Sequence, residues 1–181
     1  MIDPAISGVV QATLALIFLA SAMTKAKDLS WFADVLRQYD LVPGSAVWPV
    51  AFCVPVTELA AAAGLLYAPL RIAAATSLIG LLLAFSFAIG INLARGRREI
   101  DCGCWGPGAQ SGGLSGWLVV RNLVLAALAG FLLVPSFTRE MVWDDFVTVG
   151  LGTVALLFLF GAANRLIGNA PKLADLRRSH G

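Results

Sequence analysis

Charged residues are scarce in this chain of 181 residues: Asp, Glu, Lys and Arg make up only 13% of it, whereas 59% is hydrophobic. A soluble domain of this size could not bury so much apolar surface, since roughly a quarter of its residues would be charged. A net charge of +2 without a basic patch gives no support to nucleic-acid binding. Three cysteines are too few for a disulfide-stapled secreted domain, and they offer no second pair for a tetrahedral zinc site.

The apolar residues are arranged in long runs. A helix needs about 20 mainly apolar residues to cross the hydrocarbon core of a bilayer, and five stretches approach that length: residues 4–24, 46–67, 70–93, 117–135 and 146–166. They predict an all-α integral membrane protein, a bundle of five transmembrane helices within residues 1–166. Because the fourth stretch is the shortest and the fifth follows a mixed loop, four spans plus an interfacial segment is the alternative. Residues 167–181 are polar and are expected to form a frayed tail.

A short amphipathic segment follows the first apolar run. Residues 25–40 mix charged and apolar side chains, and Trp31 and Val35 recur at helical spacing, as do Phe32, Leu36 and Tyr39. This pattern predicts a helix that lies in the headgroup region of the membrane.

Basic residues indicate an orientation. The first of them, Lys25, follows the first apolar run instead of preceding it, so that run is expected to remain in the mature protein as a span. Most Lys and Arg residues lie in the first and third connections and in the tail. The positive-inside rule therefore predicts an outside N-terminus and places the third connection, residues 95–116, in the cytoplasm.

The most distinctive motif is Asp-Cys-Gly-Cys-Trp-Gly at residues 101–106, in that third, glycine-rich connection. Cys102 and Cys104 flank Gly103, which can adopt the backbone angles of a tight ring. The two thiols are therefore predicted to switch between dithiol and disulfide, and a strained disulfide is easily exchanged. Asp101 and Trp105 border the pair as supporting residues. The alternatives are a metal site and two unreactive thiols.

The third cysteine, Cys53, lies about 10 Å along the second span from its N-terminal end, at 1.5 Å per residue. That end faces the same side of the membrane as the cysteine loop. Cys53 is therefore a candidate third thiol that relays or resolves a disulfide. The alternative is a small apolar residue packed in the helix bundle.

Glu58 falls near the middle of the second span, where a carboxylate is costly and by default suggests a function, here an intramembrane proton carrier. The alternative is a neutral acid that is hydrogen-bonded to Asn92, Arg121 or Asn122. Those three residues lie at the membrane level from which the cysteine loop departs, and they are expected to hold its base. Arg121 could equally extend outward to lipid phosphate.

Taken in order, these residues resemble the MauE family of methylamine-utilisation membrane proteins, which are relatives of DoxX-like proteins. The matching features are Lys25, Pro55-x-x-Glu58, Asn92-Leu93-x-Arg95-Gly96, the string at 101–106 and Arg121-Asn122. The cysteine string after Arg-Gly is the specific one. Trp105 stands where phenylalanine is more usual in the family, and Cys53 is not a residue associated with it.

The resemblance implies a multi-pass protein of the bacterial inner membrane that assists maturation of the methylamine dehydrogenase small subunit. The disulfides of that subunit must form outside the cytoplasm. By the same analogy, Cys102 and Cys104 would exchange disulfides with a thioredoxin-like periplasmic partner of the MauD type. A cytoplasmic loop conflicts with this role unless electrons cross the membrane. An outward loop would instead favour oxidation by a quinone, although no quinone pocket is evident in the sequence.

Two other functions are alternatives to the redox hypothesis. A DoxX-like assembly or anchoring subunit would bind an exported partner through its loops and leave the cysteines incidental. A small-solute carrier would use Glu58, but the sequence shows no inverted repeat of interrupted helices.

Overall fold

A computed structural model describes residues 3–97, 99–100, 113–135 and 142–179 of the chain. The described residues form helices and turns, with no strand among them. The helices are α1 (Pro4–Lys27), α2 (Leu29–Tyr39), α3 (Val47–Leu65), α4 (Arg71–Ala94), α5 (Gly116–Phe131) and α6 (Trp143–Ser179), and short 3-10 turns at Gly44–Ala46 and Ala68–Leu70 precede α3 and α4. The predicted all-α fold is confirmed.

Four of the described helices are long and apolar enough to cross a membrane: α1, α3 and α4 with their preceding turns, and α6 as far as Leu166. The fifth, α5, has 16 residues, a length of about 24 Å against the roughly 30 Å of a hydrocarbon core. All five predicted stretches are therefore helical. The fourth is the shortest, as expected.

The bundle core lies between α1, α3, α4 and α5. Helix α1 packs against α3, α5 and α6, while α4 packs against α3 and α5. Leu14, Leu65 and Leu78 are fully buried in this core. Helix α6 lies at the periphery, and only 6% of the residues in its most apolar stretch are buried within the protein. It approaches α1 closely at Gly152, where an added Cβ would lie 2.9 Å from a methyl group of Val9.

The predicted amphipathic helix is confirmed as α2, which buries Phe32 and Val35. The Asp28 side chain caps it by accepting hydrogen bonds from the Trp31 backbone N–H at 2.9 Å and the Ser30 hydroxyl at 2.7 Å. These two bonds stabilise the carboxylate and lower the pKa of Asp28.

Two helix boundaries differ from the prediction. Helix α1 continues through Lys27, so Lys25 belongs to the first span and not to the amphipathic segment. The tail expected to fray instead extends α6 to Ser179. At 37 residues, α6 is about 55 Å long, so its polar end continues beyond the hydrocarbon core.

Candidate functional site

A buried ion pair between α1 and α3 is the centre of the candidate site. Lys25 Nζ lies 2.7 Å from Oε1 and 2.8 Å from Oε2 of Glu58. Each side chain is only 1% exposed. Glu58 lies 11 residues after Val47, where α3 begins, a depth of about 16 Å along the helix. The pair is therefore well inside the bundle.

Ser21 completes a triangle of hydrogen bonds with the pair. The Lys25 ammonium donates to Ser21 Oγ at 2.6 Å, and the Ser21 hydroxyl donates to Glu58 Oε1 at 3.3 Å. Ser21 and Lys25 are four residues apart, so they share one face of α1. The rings of Phe32 and Phe85 lie 5.5 and 5.6 Å from Lys25 Nζ, within cation–π range. The ammonium is thus held between a carboxylate and two aromatic faces.

Glu58 was predicted from the sequence, but its ion-pair partner was not. The predicted partners were Asn92, Arg121 or Asn122, whereas the ion pair is made by Lys25. A lysine near the end of a span suggests an interfacial charge, because its long side chain usually extends towards water. Here it extends inward beneath α2. The spacing of Ser21 and Lys25, which places both on one face of the first apolar helix, was the sequence feature that could have indicated an inward-facing lysine.

Arg121 and Asn122 form a second polar group, on α5. The Arg121 guanidinium donates from Nη2 to Asn122 Oδ1 at 3.1 Å and from Nη1 to Asn164 Oδ1 of α6 at 2.9 Å. Arg121 is only 9% exposed, so it points into the protein and not outward to lipid phosphate. The role of Asn164 was not predicted from the sequence. Glu58, Arg121 and Asn122 line one small cavity, so they meet as a cluster.

Asn92 acts elsewhere, at the end of α4. Its Nδ2 donates to the carbonyl of Tyr39 at 3.2 Å and to that of Ala88 at 3.1 Å. The suggested bond from Asn92 to Glu58 is therefore wrong. Asn92 instead ties the end of α2 to α4. Arg97 adds an ion pair to Asp40 at 3.4 Å in the same region.

The base of the cysteine loop is anchored on both sides. Ile100, which precedes the loop, and Leu114, which follows it, are 8% and 3% exposed and belong to one buried cluster. That cluster also contains Val35 of α2, Ile89 of α4 and Leu118 of α5. The loop therefore begins and ends on the same surface at one end of the bundle, beside α2.

The cysteine motif itself lies outside the described residues: Asp101, Cys102, Gly103, Cys104 and Trp105 all fall in the stretch from 101 to 112. Its redox chemistry stays a prediction from the sequence.

Cys53 can be placed. It is exposed on α3, which contradicts the alternative of a small residue packed in the bundle, and its role as a third thiol stays a prediction. Among the described residues, no cluster of three or more His, Cys, Asp or Glu could hold a metal ion.

Comparisons with known proteins agree with the sequence motifs. Residues 3–135 match the family model described as methylamine utilisation protein MauE. A MauE protein of Paracoccus denitrificans is 42% identical over 129 residues, which cover 71% of this chain and 69% of that protein. MauE proteins of Methylophilus methylotrophus and Paracoccus versutus are 32% and 35% identical, over 92% and 93% of this chain and 88% and 90% of their own lengths. No solved structure matches the chain with significance.

Proposed function

The chain belongs to the MauE family of methylamine utilisation proteins, and from that premise we propose that it is a membrane thiol–disulfide redox protein. Its client is the exported small subunit of methylamine dehydrogenase, reached through a thioredoxin-like partner. Cys102 and Cys104 are the thiol pair that would exchange disulfides with that partner. The observation that carries the proposal is the double anchoring of the cysteine loop by Ile100 and Leu114.

Anchoring matters because thiol–disulfide exchange requires an accessible sulfur in a defined position. Both ends of the loop are held against α2, α4 and α5 by buried apolar contacts. Asn92 and Arg97 fix α2 to the end of α4 just before the loop. These contacts support a fixed position for the two residues between which the motif lies, Ile100 and Leu114.

The exchange step moves two electrons. A thiolate of the partner attacks one sulfur of the Cys102–Cys104 disulfide, and the other sulfur leaves as a thiolate. The second thiolate of the partner then displaces this mixed disulfide. The partner ends as a disulfide, and the two electrons and two protons it loses convert Cys102 and Cys104 to a dithiol.

We place the loop outside the cytoplasm, against the prediction from charge. Direct exchange with an exported partner requires an outward loop, and the chain has no cysteine besides Cys53, Cys102 and Cys104 that could relay electrons from the other side of the membrane. The charge bias is also weaker than the sequence suggests, because Lys25 is buried in the bundle and does not belong to the first connection.

Serine variants test the proposal. Cys102→Ser and Cys104→Ser should each abolish maturation of the client while the protein still accumulates in the membrane. Cys53→Ser is the matched control and should mature the client normally. Normal maturation in the Cys102→Ser, Cys104→Ser double variant would reject the redox function and favour an assembly or anchoring subunit.

Labelling tests the orientation. A membrane-impermeant maleimide should alkylate Cys102 and Cys104 in intact spheroplasts after mild reduction. Cells carrying the double serine variant give the background from Cys53. Labelling only after the membrane is opened would place the loop in the cytoplasm and exclude direct exchange with an exported partner.

A further inference from the structure

A small polar cavity, here called the inner cavity, lies in the bundle between α1, α3, α4 and α5. Its volume is about 30 Å³. Polar or charged side chains from three helices line it: Ser21 on α1, Glu58 on α3, and Arg121 and Asn122 on α5. Leu82 of α4 is part of its apolar wall and is only 3% exposed. The inner cavity therefore adjoins both polar groups of the candidate site.

Asn122 provides an observation that points to a ligand in this cavity. Its side chain is 1% exposed, and its Oδ1 accepts a hydrogen bond from Arg121 Nη2 at 3.1 Å. Its Nδ2 finds no hydrogen-bond partner among the residues that the structure describes. Buried amide groups are almost always hydrogen-bonded. A donor of this kind that lines a cavity indicates that the acceptor is a molecule inside the cavity.

The volume and the lining charges restrict what that molecule can be. A buried water molecule needs about 10–15 Å³ and two to four polar partners. The inner cavity of about 30 Å³ therefore has room for one or two waters and excludes a larger organic molecule. Glu58 and Arg121 carry opposite charges, so the lining side chains favour a neutral ligand over an anion or a cation.

We propose that the inner cavity is a water-binding site in which a bound water accepts a hydrogen bond from Asn122 Nδ2. The same water has two hydrogens to donate. Acceptor groups line the cavity beside Asn122, namely the carboxylate of Glu58 and the hydroxyl oxygen of Ser21. Because buried waters typically make about three hydrogen bonds, these groups suffice for one.

A water in this position joins two polar groups into one network. The Lys25–Glu58 pair holds α1 to α3, and the bond from Arg121 to Asn164 holds α5 to α6. The bound water connects them through Asn122 and supplies part of the hydration that Glu58 loses on burial. This inference does not rest on the redox function, because none of these residues belongs to the cysteine loop.

X-ray footprinting of the full chain in lipid nanodiscs tests the site, because X-rays convert water into hydroxyl radicals that oxidise neighbouring side chains. Leu82 lines the inner cavity, whereas Leu78, one turn earlier on α4, is 0% exposed and does not line it. Leu82 should be oxidised several-fold faster than Leu78, although both are buried. This comparison within the wild-type protein needs no variant, so it decides the matter even if a variant fails to fold.

Variants test the role of the amide. Asn122→Leu replaces the donor by an apolar group, and oxidation of Leu82 should then fall to the rate of Leu78. Gln11→Leu is the matched control, because Gln11 is an amide of α1 that bonds to the Leu65 carbonyl and does not line the cavity. It should leave the oxidation of Leu82 unchanged.

Equal protection of Leu82 and Leu78 in the wild-type protein would show a dry cavity and overturn the proposal. Unchanged oxidation of Leu82 in Asn122→Leu would also overturn it, because the water would then be held without this donor. An equal decrease in Gln11→Leu would contradict the specific role of Asn122.

Discussion

Removing one charge of the Lys25–Glu58 pair is expected to destabilise the bundle far more than removing both. Each side chain is 1% exposed, so either single variant leaves one charge in the protein interior without its principal partner. Breaking such a pair typically costs about 3–5 kcal/mol, whereas replacing both partners by neutral residues is often close to neutral. Lys25→Met and Glu58→Gln should therefore each be severely destabilising, and the double variant should be near the wild type.

Thermal unfolding of the purified protein in detergent measures this difference. For a chain of this length, lowering the free energy of unfolding by about 3–5 kcal/mol lowers Tm by on the order of 10 °C. The exposed pair Asp34–Arg37 is the control, because its side chains are 61% and 50% exposed and Asp34→Asn should shift Tm by about 2 °C or less. If the decrease in Tm of the double variant equals the sum of the decreases for Lys25→Met and Glu58→Gln, the side chains do not act as a pair and the description of the site is wrong.

Two further predictions concern the peripheral parts of the fold. Gly152→Ala should lower Tm, because the new Cβ would lie 2.9 Å from Val9 and overpacking costs about 1–3 kcal/mol. Gly150 has open space around it, so Gly150→Ala should raise Tm slightly through helix propensity. A lower Tm in both variants would contradict the close contact between α1 and α6. The Asp28 cap has a lowered pKa in the folded state, so its stabilising effect is present above the unfolded value of 3.8 and is lost as the pH falls through the folded pKa. Hydrogen exchange of the Trp31 amide should accordingly speed up in Asp28→Ala at neutral pH, whereas unchanged exchange would show that the cap does not hold α2.

The fold could be predicted from the sequence because the bilayer imposes simple rules. Scarce charge and five long apolar runs require helices, since only helices and closed barrels satisfy their backbone groups in lipid. The spacing of apolar side chains in residues 25–40 likewise predicted the amphipathic helix, which the structure places at Leu29–Tyr39. The extension of α6 beyond Leu166 was not predicted, because the stretch that follows is polar and contains Gly168, Asn169 and Pro171, which usually interrupt or end a helix.

The site could be predicted only in part. Glu58 stands out because any carboxylate in an apolar run is unusual, whereas Lys25 does not, because a lysine at the end of a span has an ordinary explanation at the interface. Their pairing depends on how α1 and α3 pack, which single-sequence periodicity does not specify. The bond from Arg121 on α5 to Asn164 on α6 is likewise evident only in three dimensions.

Trapping a mixed disulfide tests the central claim most directly. Membranes from cells that carry the intact Cys102–Cys104 pair, together with the thioredoxin-like partner lacking its resolving cysteine, are quenched with acid and run on a non-reducing gel. The remaining thiolate of the partner attacks the Cys102–Cys104 disulfide and should stay in a covalent complex that disappears on reduction and is absent from the double serine variant. If no complex forms with the intact pair, the thiol pair does not exchange disulfides with this partner and the proposed function is wrong.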